Sequence, residues 1–350
     1  MIVNEEEVLP RRRLPRAVLQ LLATIVAIVV LLVVLVVRLR GGGSTVGPVW
    51  SVAVSSDGGL VASTSYYENA VRLWAASDPR DIRQLGSPLE IPDVSSVAFA
   101  PGRQVLAAGG SDGATGTGAV TLWDVTAPAA PRLLGSALTG SSGGIEWVAF
   151  APDGRMLASG DRAGGARLWD LADPAAPRQL GSPLASDANG TAMVAFAPDG
   201  RLLAVRDRDG VRLWDVTDPA DARPLGSSVP GGVMAFAPVG HVLATVGGEN
   251  VVQLWDVAAP EAPRLLGSLP AGQHGVIYSL AFTHNGHTLA GASQDGMVEL
   301  WNVTDPVFGR RLGDTAPGHK GFVASVAYTP DGRTLVSGGE DGKVRLTTVG

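Results

Sequence analysis

The chain has 350 residues, 45% hydrophobic, 17% charged and 5% aromatic, with a formal net charge of −6. That length supports a large folded domain, and the absence of cysteine excludes disulfides, Cys-ligated metal sites and a Cys nucleophile. The acidic balance argues against a nucleic-acid partner.

Residues 1–16 form a short tail carrying Glu5, Glu6 and Glu7, then Arg11, Arg12, Arg13 and Arg16. Residues 17–37 follow, with only Gln20 and Thr24 polar. As a helix this run would span about 31 Å, close to the hydrocarbon thickness of a bilayer. A cleavable signal peptide has a shorter apolar region and a small-x-small site. This run stays rich in Val, Leu and Ile to its end and exits into Arg38-Leu39-Arg40. It predicts one transmembrane helix. Four arginines before the helix against two after it predict a cytoplasmic N-terminus and an extracytoplasmic main domain. The alternative topology keeps that domain in the cytoplasm.

Residues 38–46 read as a linker, with Gly41-Gly42-Gly43-Ser44 at its centre. From residue 41 onward, 21 Lys/Arg face 30 Asp/Glu, a net charge of −9. Lys320 and Lys343 are the only lysines, against 25 arginines. With abundant Ala, Gly and Val, this composition suggests a bacterial source.

Residues 47–350 repeat one unit. Leu-Trp recurs at Trp74, Trp123, Trp169, Trp214, Trp255 and Trp301, with a degenerate seventh copy at Leu346-Thr347, spaced by 41–49 residues. Asp124, Asp170, Asp215 and Asp256 follow four of those tryptophans. Within a unit, an alternating run such as Ile145-Glu146-Trp147-Val148-Ala149-Phe150 meets a Pro152-Asp153-Gly154 turn. Strands follow over 156–159, 166–170 and 178–184. Four short strands make one small antiparallel sheet, which cannot bury both faces alone. Seven such sheets stacked radially can, with Trp side chains packing between neighbours. The predicted fold is all-β, a seven-bladed propeller.

Phe-x-Pro-Asp-Gly turns followed by Leu-Trp-Asp at this period resemble the WD-repeat propellers. The Arg-x-Leu-Gly-Ser stretch near Leu134, Leu180 and Leu266 is similar to actinobacterial members. The resemblance implies a scaffold that binds partners, in bacteria often attached to membrane receptors or to STAND-type NTPases and kinases. It also implies a hydrogen-bonded set of Gly-His, Ser/Thr, Asp and Trp in each blade. Only the last unit has that set, as Gly318-His319, Ser337 and Asp341, and there Thr347 replaces the Trp. The other blades are expected to rely on apolar packing. The chain stops at Gly350, so blade seven is expected to be three-stranded or completed by residues 38–46.

Enzyme-like patterns lie in the wrong context. Gly109-Gly110-Ser111-Asp112-Gly113 and Gly140-Ser141-Ser142-Gly143-Gly144 match nucleophile-elbow spacing, which needs a strand-to-helix turn. His284 and His287 flank a hairpin turn without a carboxylate set to join them. Asp207-Arg208-Asp209-Gly210 lacks the remaining ligands of a calcium loop. The sequence therefore predicts no enzyme activity, no metal and no cofactor.

Positions that vary between units are where binding can be written. In the first strand one column reads Trp50, Ser95, Glu146, Ala192, Gly232, Tyr278 and Ala324. The second-turn tips carry Tyr66, Tyr67, Asp207, Arg208 and Asp295. The expected partner is a protein, peptide or glycan, with Trp50, Tyr66, Tyr67 and Tyr278 as aromatic anchors. Two function readings follow. One is a membrane-anchored, non-catalytic scaffold or sensor. The other is the cytoplasmic receptor half of a split STAND-type NTPase or kinase system.

Overall fold

The third unit shows how the sequence becomes a sheet. Its strands are Ile145–Phe150, Met156–Asp161, Ala166–Asp170 and Arg178–Leu184, paired as an antiparallel meander in chain order. At the first turn Gly154 takes φ 65° and donates its N–H to the Ala151 carbonyl at 2.9 Å. The Asp153 carboxylate accepts from the Arg155 N–H at 2.8 Å. Asp and Gly thus do what the turn chemistry requires.

The computed structural model describes residues 47–78, 82–184, 192–269, 275–315 and 317–349. They form seven sheets, at 49–90, 96–141, 145–184, 194–229, 234–269, 277–315 and 323–348. The first strand of each sheet touches the first strand of the next, and the last touches the first, closing a ring around a central channel. This is a seven-bladed β-propeller. Inter-blade connections and second turns share one end of the channel. First turns and the loops between third and fourth strands share the other.

The core lies between blades. Each of seven apolar clusters draws on two neighbouring sheets, such as Leu122 and Leu138 of blade 2 with Ile145, Leu157 and Trp169 of blade 3. In every case the Trp packs toward the preceding blade: Trp123 on blade 1, Trp214 on blade 3, Trp255 on blade 4 and Trp301 on blade 5. Trp74 closes the ring against blade 7. The interface between blades 6 and 7, where Thr347 replaces Trp, packs Val298, Val323, Val326 and Leu335 instead. The tryptophans are not held by apolar contact alone. Trp74, Trp169 and Trp255 donate their indole N–H to Ser63, Ser159 and Thr245 at 2.9–3.0 Å. Trp123 faces Ala108 at that position and turns to Thr121 at 3.0 Å.

Two further couplings run around the ring. Serines on the inner strands accept backbone N–H groups from the next blade: Ser51 from Val97, Ser96 from Val148, Ser279 from Val326 and Ser325 from Val52, at 3.1–3.3 Å. The last of these joins blade 7 to blade 1. The second coupling explains the Arg-x-Leu-Gly-Ser stretch. Its glycine takes φ of 52–62° at Gly86, Gly135, Gly181 and Gly226. At each, a Cβ would lie 2.1–2.8 Å from a backbone carbonyl oxygen in the third-to-fourth loop of the next blade: Ala129, Ala175, Ala220 and Glu261. Loop and strand meet where only glycine fits.

The Trp-Asp carboxylates cap those same loops. Asp124, Asp170, Asp215 and Asp256 accept the N–H two residues on, at 2.9–3.0 Å. The Thr126 hydroxyl at Asp124, and these backbone bonds at Asp170, Asp215 and Asp256, are the chief reason the four carboxyls stay below their ordinary pKa. The arginine opening each outer strand adds an exposed ion pair at Asp170, Asp215 and Asp256.

Blade 7 has three strands among the described residues. Its expected completion by residues 38–46 lies outside them, as does the expected helix over 17–37. Among the described residues no helix is long and apolar enough to cross a membrane.

Candidate binding site at the channel mouth

The variable column sits on a backbone feature. Inner-strand pairing slips between Val49 and Val52, between Ile277 and Ser279, and between Val323 and Ser325. In blade 3 it slips where Gly160 pairs Trp147 and Asp161 pairs Ile145. Each slip is a β-bulge, and the extra residues are Trp50, Glu146, Tyr278 and Ala324. A bulge re-aims side chains and bends the strand. Ser51 secures the one in blade 1, donating its N–H to Thr64 Oγ1 at 3.1 Å. In blades 2, 4 and 5 the inner strands begin later, at Ser96, Val194 and Met234, so Ser95, Ala192 and Gly232 precede them.

Three consecutive blades, 6, 7 and 1, place aromatic rings together. Tyr278 and Trp50 flank blade 7, whose own bulge residue, Ala324, is small and buried. Phe322, two residues before Ala324, occupies the space. Its ring centroid lies 5.4 Å from that of Trp50 and 5.4 Å from that of Tyr278, with interplanar angles of 35° and 56°. Trp50 is 41% exposed; the other two rings are half-buried. Val276, next to the strand of Tyr278, is also exposed. Beside the rings, the Glu340 carboxylate accepts the Phe322 N–H at 3.3 Å, and Phe322 returns its carbonyl to the Glu340 N–H at 3.0 Å. Gly321, at φ 90°, makes room: a Cβ there would lie 2.0 Å from Glu340 Oε2. Burial, aided by the charge of Glu340, raises the pKa of the Tyr278 hydroxyl.

The remaining candidates have other neighbours. Glu146 is ion-paired with Arg162 at the tip of its own blade. Asp207 accepts from the Asp209 N–H, the Ser228 hydroxyl and Arg212 at 2.9–3.2 Å, so it holds a turn while Arg208 stays exposed. Asp295 also holds a turn, through Ser293 Oγ and the Met297 N–H. Tyr66 and Tyr67 open the single-turn 3-10 helix Tyr66–Glu68. The Tyr67 ring lies against Gly47, where a Cβ would be 2.9 Å from Cδ2. Phe322 was not among the sequence-based candidates. It lies outside the repeat's aligned strand, and only the placing of blade 7 between blades 6 and 1 gives it partners.

Blade 7 holds the His, Ser and Asp members of the family's network, with Thr347 in place of the Trp. His319 Nδ1 lies 2.8 Å from Asp341, and Nε2 lies 2.9 Å from Ser337 Oγ. Burial lowers the His319 pKa, outweighing the hydrogen bond and charge of Asp341. Burial would raise the Asp341 carboxyl, but His319, Arg345 and the Lys320 N–H together bring it below its ordinary value. Ser, His and Asp stand in the order of a hydrolytic triad. However, the Ser337 residue and the His319 side chain are both 0% exposed, so no substrate carbonyl can reach the hydroxyl. The nucleophile-elbow matches begin at the ends of strands Val105–Ser111 and Arg132–Ser141 and run into the loops that follow, with no helix after them.

Four segments match the family model described as WD domain, G-beta repeat: 36–75, 132–170, 264–302 and 311–347. The last three each begin in one blade's outer strand and end in the third strand of the next. The first ends with the third strand of blade 1, Ala70–Ala75. No curated protein matches the chain. The chain carries WD repeats within a seven-bladed propeller.

Proposed function

We propose that this WD-repeat propeller is a membrane-anchored, non-catalytic scaffold or sensor that captures a protein partner at the channel mouth formed by blades 6, 7 and 1. The observation that carries the reading is the Trp50–Phe322–Tyr278 cluster at the end of the channel, with Trp50 and Tyr278 on bulged inner strands and Phe322 between them. Large aromatic side chains that stay part-exposed on a rigid frame are what interface anchors are made of. A closed ring presents them without the ordering cost that a mobile loop incurs on binding.

Anchoring rests on the apolar run 17–37. Confinement to a membrane raises effective concentration toward other membrane proteins.

The test is site-specific photocrosslinking in the native membrane. A benzophenone amino acid replaces Trp50 in one variant and Leu133, an exposed outer-strand residue, in another. A discrete adduct at position 50 with none at 133 supports the reading. Equal adduct patterns refute it. Protease digestion of intact cells carrying a C-terminal tag tests the topology: loss of the tag without lysis is expected.

A further inference from the structure

We propose that the Trp50–Phe322–Tyr278 cluster with Glu340 is a subsite for one basic side chain, an arginine or lysine, of the protein partner. This rests on the binding reading above and specifies its chemistry.

The argument starts from Glu340. Among the described residues its carboxylate has one partner, the Phe322 N–H, and no cationic side chain pairs with it. Glu68 and Glu146, on the same end of the channel, are paired with Arg72 and Arg162. The unpaired carboxylate is also held in place rather than left to wander, since it is bonded to Phe322 and seated against Gly321.

The second half is the rings. Aromatic faces carry negative potential, and a guanidinium or ammonium over them is attracted. Trp50 offers the best such face and is the most exposed of the three rings. Two rings inclined to a central one form a shallow apolar wall. The methylene stem of an arginine or lysine can lie along such a wall while its head reaches a carboxylate. The propeller's net charge of −9 attracts a basic partner at long range. A purely apolar side chain would satisfy the rings and leave the carboxylate desolvated without a cationic partner, which costs affinity. The cluster with its carboxylate therefore selects a cation with an apolar stem.

Random dodecapeptides displayed on phage, selected on the full-length chain in detergent, test this. Enriched peptides are expected to share an arginine or lysine beside an apolar residue. Synthetic copies should bind about tenfold more weakly to Glu340→Gln and to Trp50→Ala. Replacing the basic residue of the peptide by norleucine should cost a similar factor. Glu340→Gln keeps an acceptor for the Phe322 N–H, so unchanged melting is expected and separates lost charge from lost fold. Enriched peptides without a basic residue overturn the proposal. So does unchanged affinity for Glu340→Gln, and if Trp50→Ala still weakens binding, the channel-mouth reading survives alone. Indifference to both variants, or no enrichment, removes both. Competition by tetramethylammonium as strong as by the peptides would reassign the site to quaternary ammonium groups and overturn the protein-partner assignment.

Discussion

The contact between each outer strand and the next blade's loop makes a quantitative prediction. At Gly226 the backbone has φ 52°, and a Cβ would lie 2.1 Å from the Glu261 carbonyl oxygen. Gly226→Ala therefore has two separable costs. The left-handed backbone with a Cβ costs about 1–2 kcal/mol. Moving a backbone carbonyl that sits inside van der Waals contact adds about 1–3 kcal/mol, the usual range for overpacking. Gly102 is the matched control. It has φ 64° and nothing within 4 Å of its Cβ position, so Gly102→Ala carries the backbone cost alone. At about 2 °C per kcal/mol for a domain of this size, Gly102→Ala should lower the melting temperature by about 2–4 °C. Gly226→Ala should lower it by about 4–10 °C. Near-ultraviolet circular dichroism of the full chain in detergent reads both. Equal shifts would show that the loop moves aside at no cost, and the contact would then be coincidental rather than a coupling between blades.

Three further outcomes follow from the packing. Ser325→Ala leaves the Val52 N–H at the blade 7–blade 1 seam without its acceptor, which should cost about 1 kcal/mol and speed hydrogen exchange at Val52. Ser159→Ala strands the indole N–H of Trp169, which is buried. A loss of about 1–3 kcal/mol is expected, and Ser63→Ala should cost less because Trp74 is only half-buried. Burial holds the His319 pKa below its ordinary value when folded, so the unfolded chain takes up that proton first as pH falls. Stability should be full above the unfolded value and decline below it, by at most about 1.4 kcal/mol per pH unit from this group. His319→Gln should flatten the melting profile between pH 7 and 5; an unchanged slope would assign the loss to other groups.

The repeat was readable because its signals are local. The Pro152-Asp153-Gly154 turn and the Leu168-Trp169-Asp170 strand each announce themselves within a few residues, and the predicted inner run 145–150 is the observed strand Ile145–Phe150. The variable column was visible as variation, but not as a set of bulges. A bulge is a mismatch between two strands, and one strand's sequence does not contain it. Phe322 was hidden for the same kind of reason: its partners lie 272 and 44 residues away. Asp207 and Asp295 sit at exposed tips and look free in the sequence, whereas the backbone N–H groups they hold are invisible there. The absence of His from most units pointed to apolar packing alone. The indole bonds to Ser63, Ser159 and Thr245 show that half of the polar network persists without it.

The loop-to-glycine contacts all run in one direction. Blade 1 receives the loop of blade 2, blade 2 that of blade 3, and so on to blade 4 receiving that of blade 5. A socket therefore exists before its plug has been synthesised, and each plug emerges one repeat later. A ring has no beginning, but the direction of these contacts matches the order of synthesis. Each new blade docks on a finished predecessor, and a blade that failed to fold would deny the next its landing place. The junction of blade 7 with blade 1 is made by Ser325 and side-chain packing. A circularly permuted chain that cuts between blades 3 and 4 would keep every contact of the finished ring while reversing that order at one junction. Slower refolding at unchanged stability would be its signature.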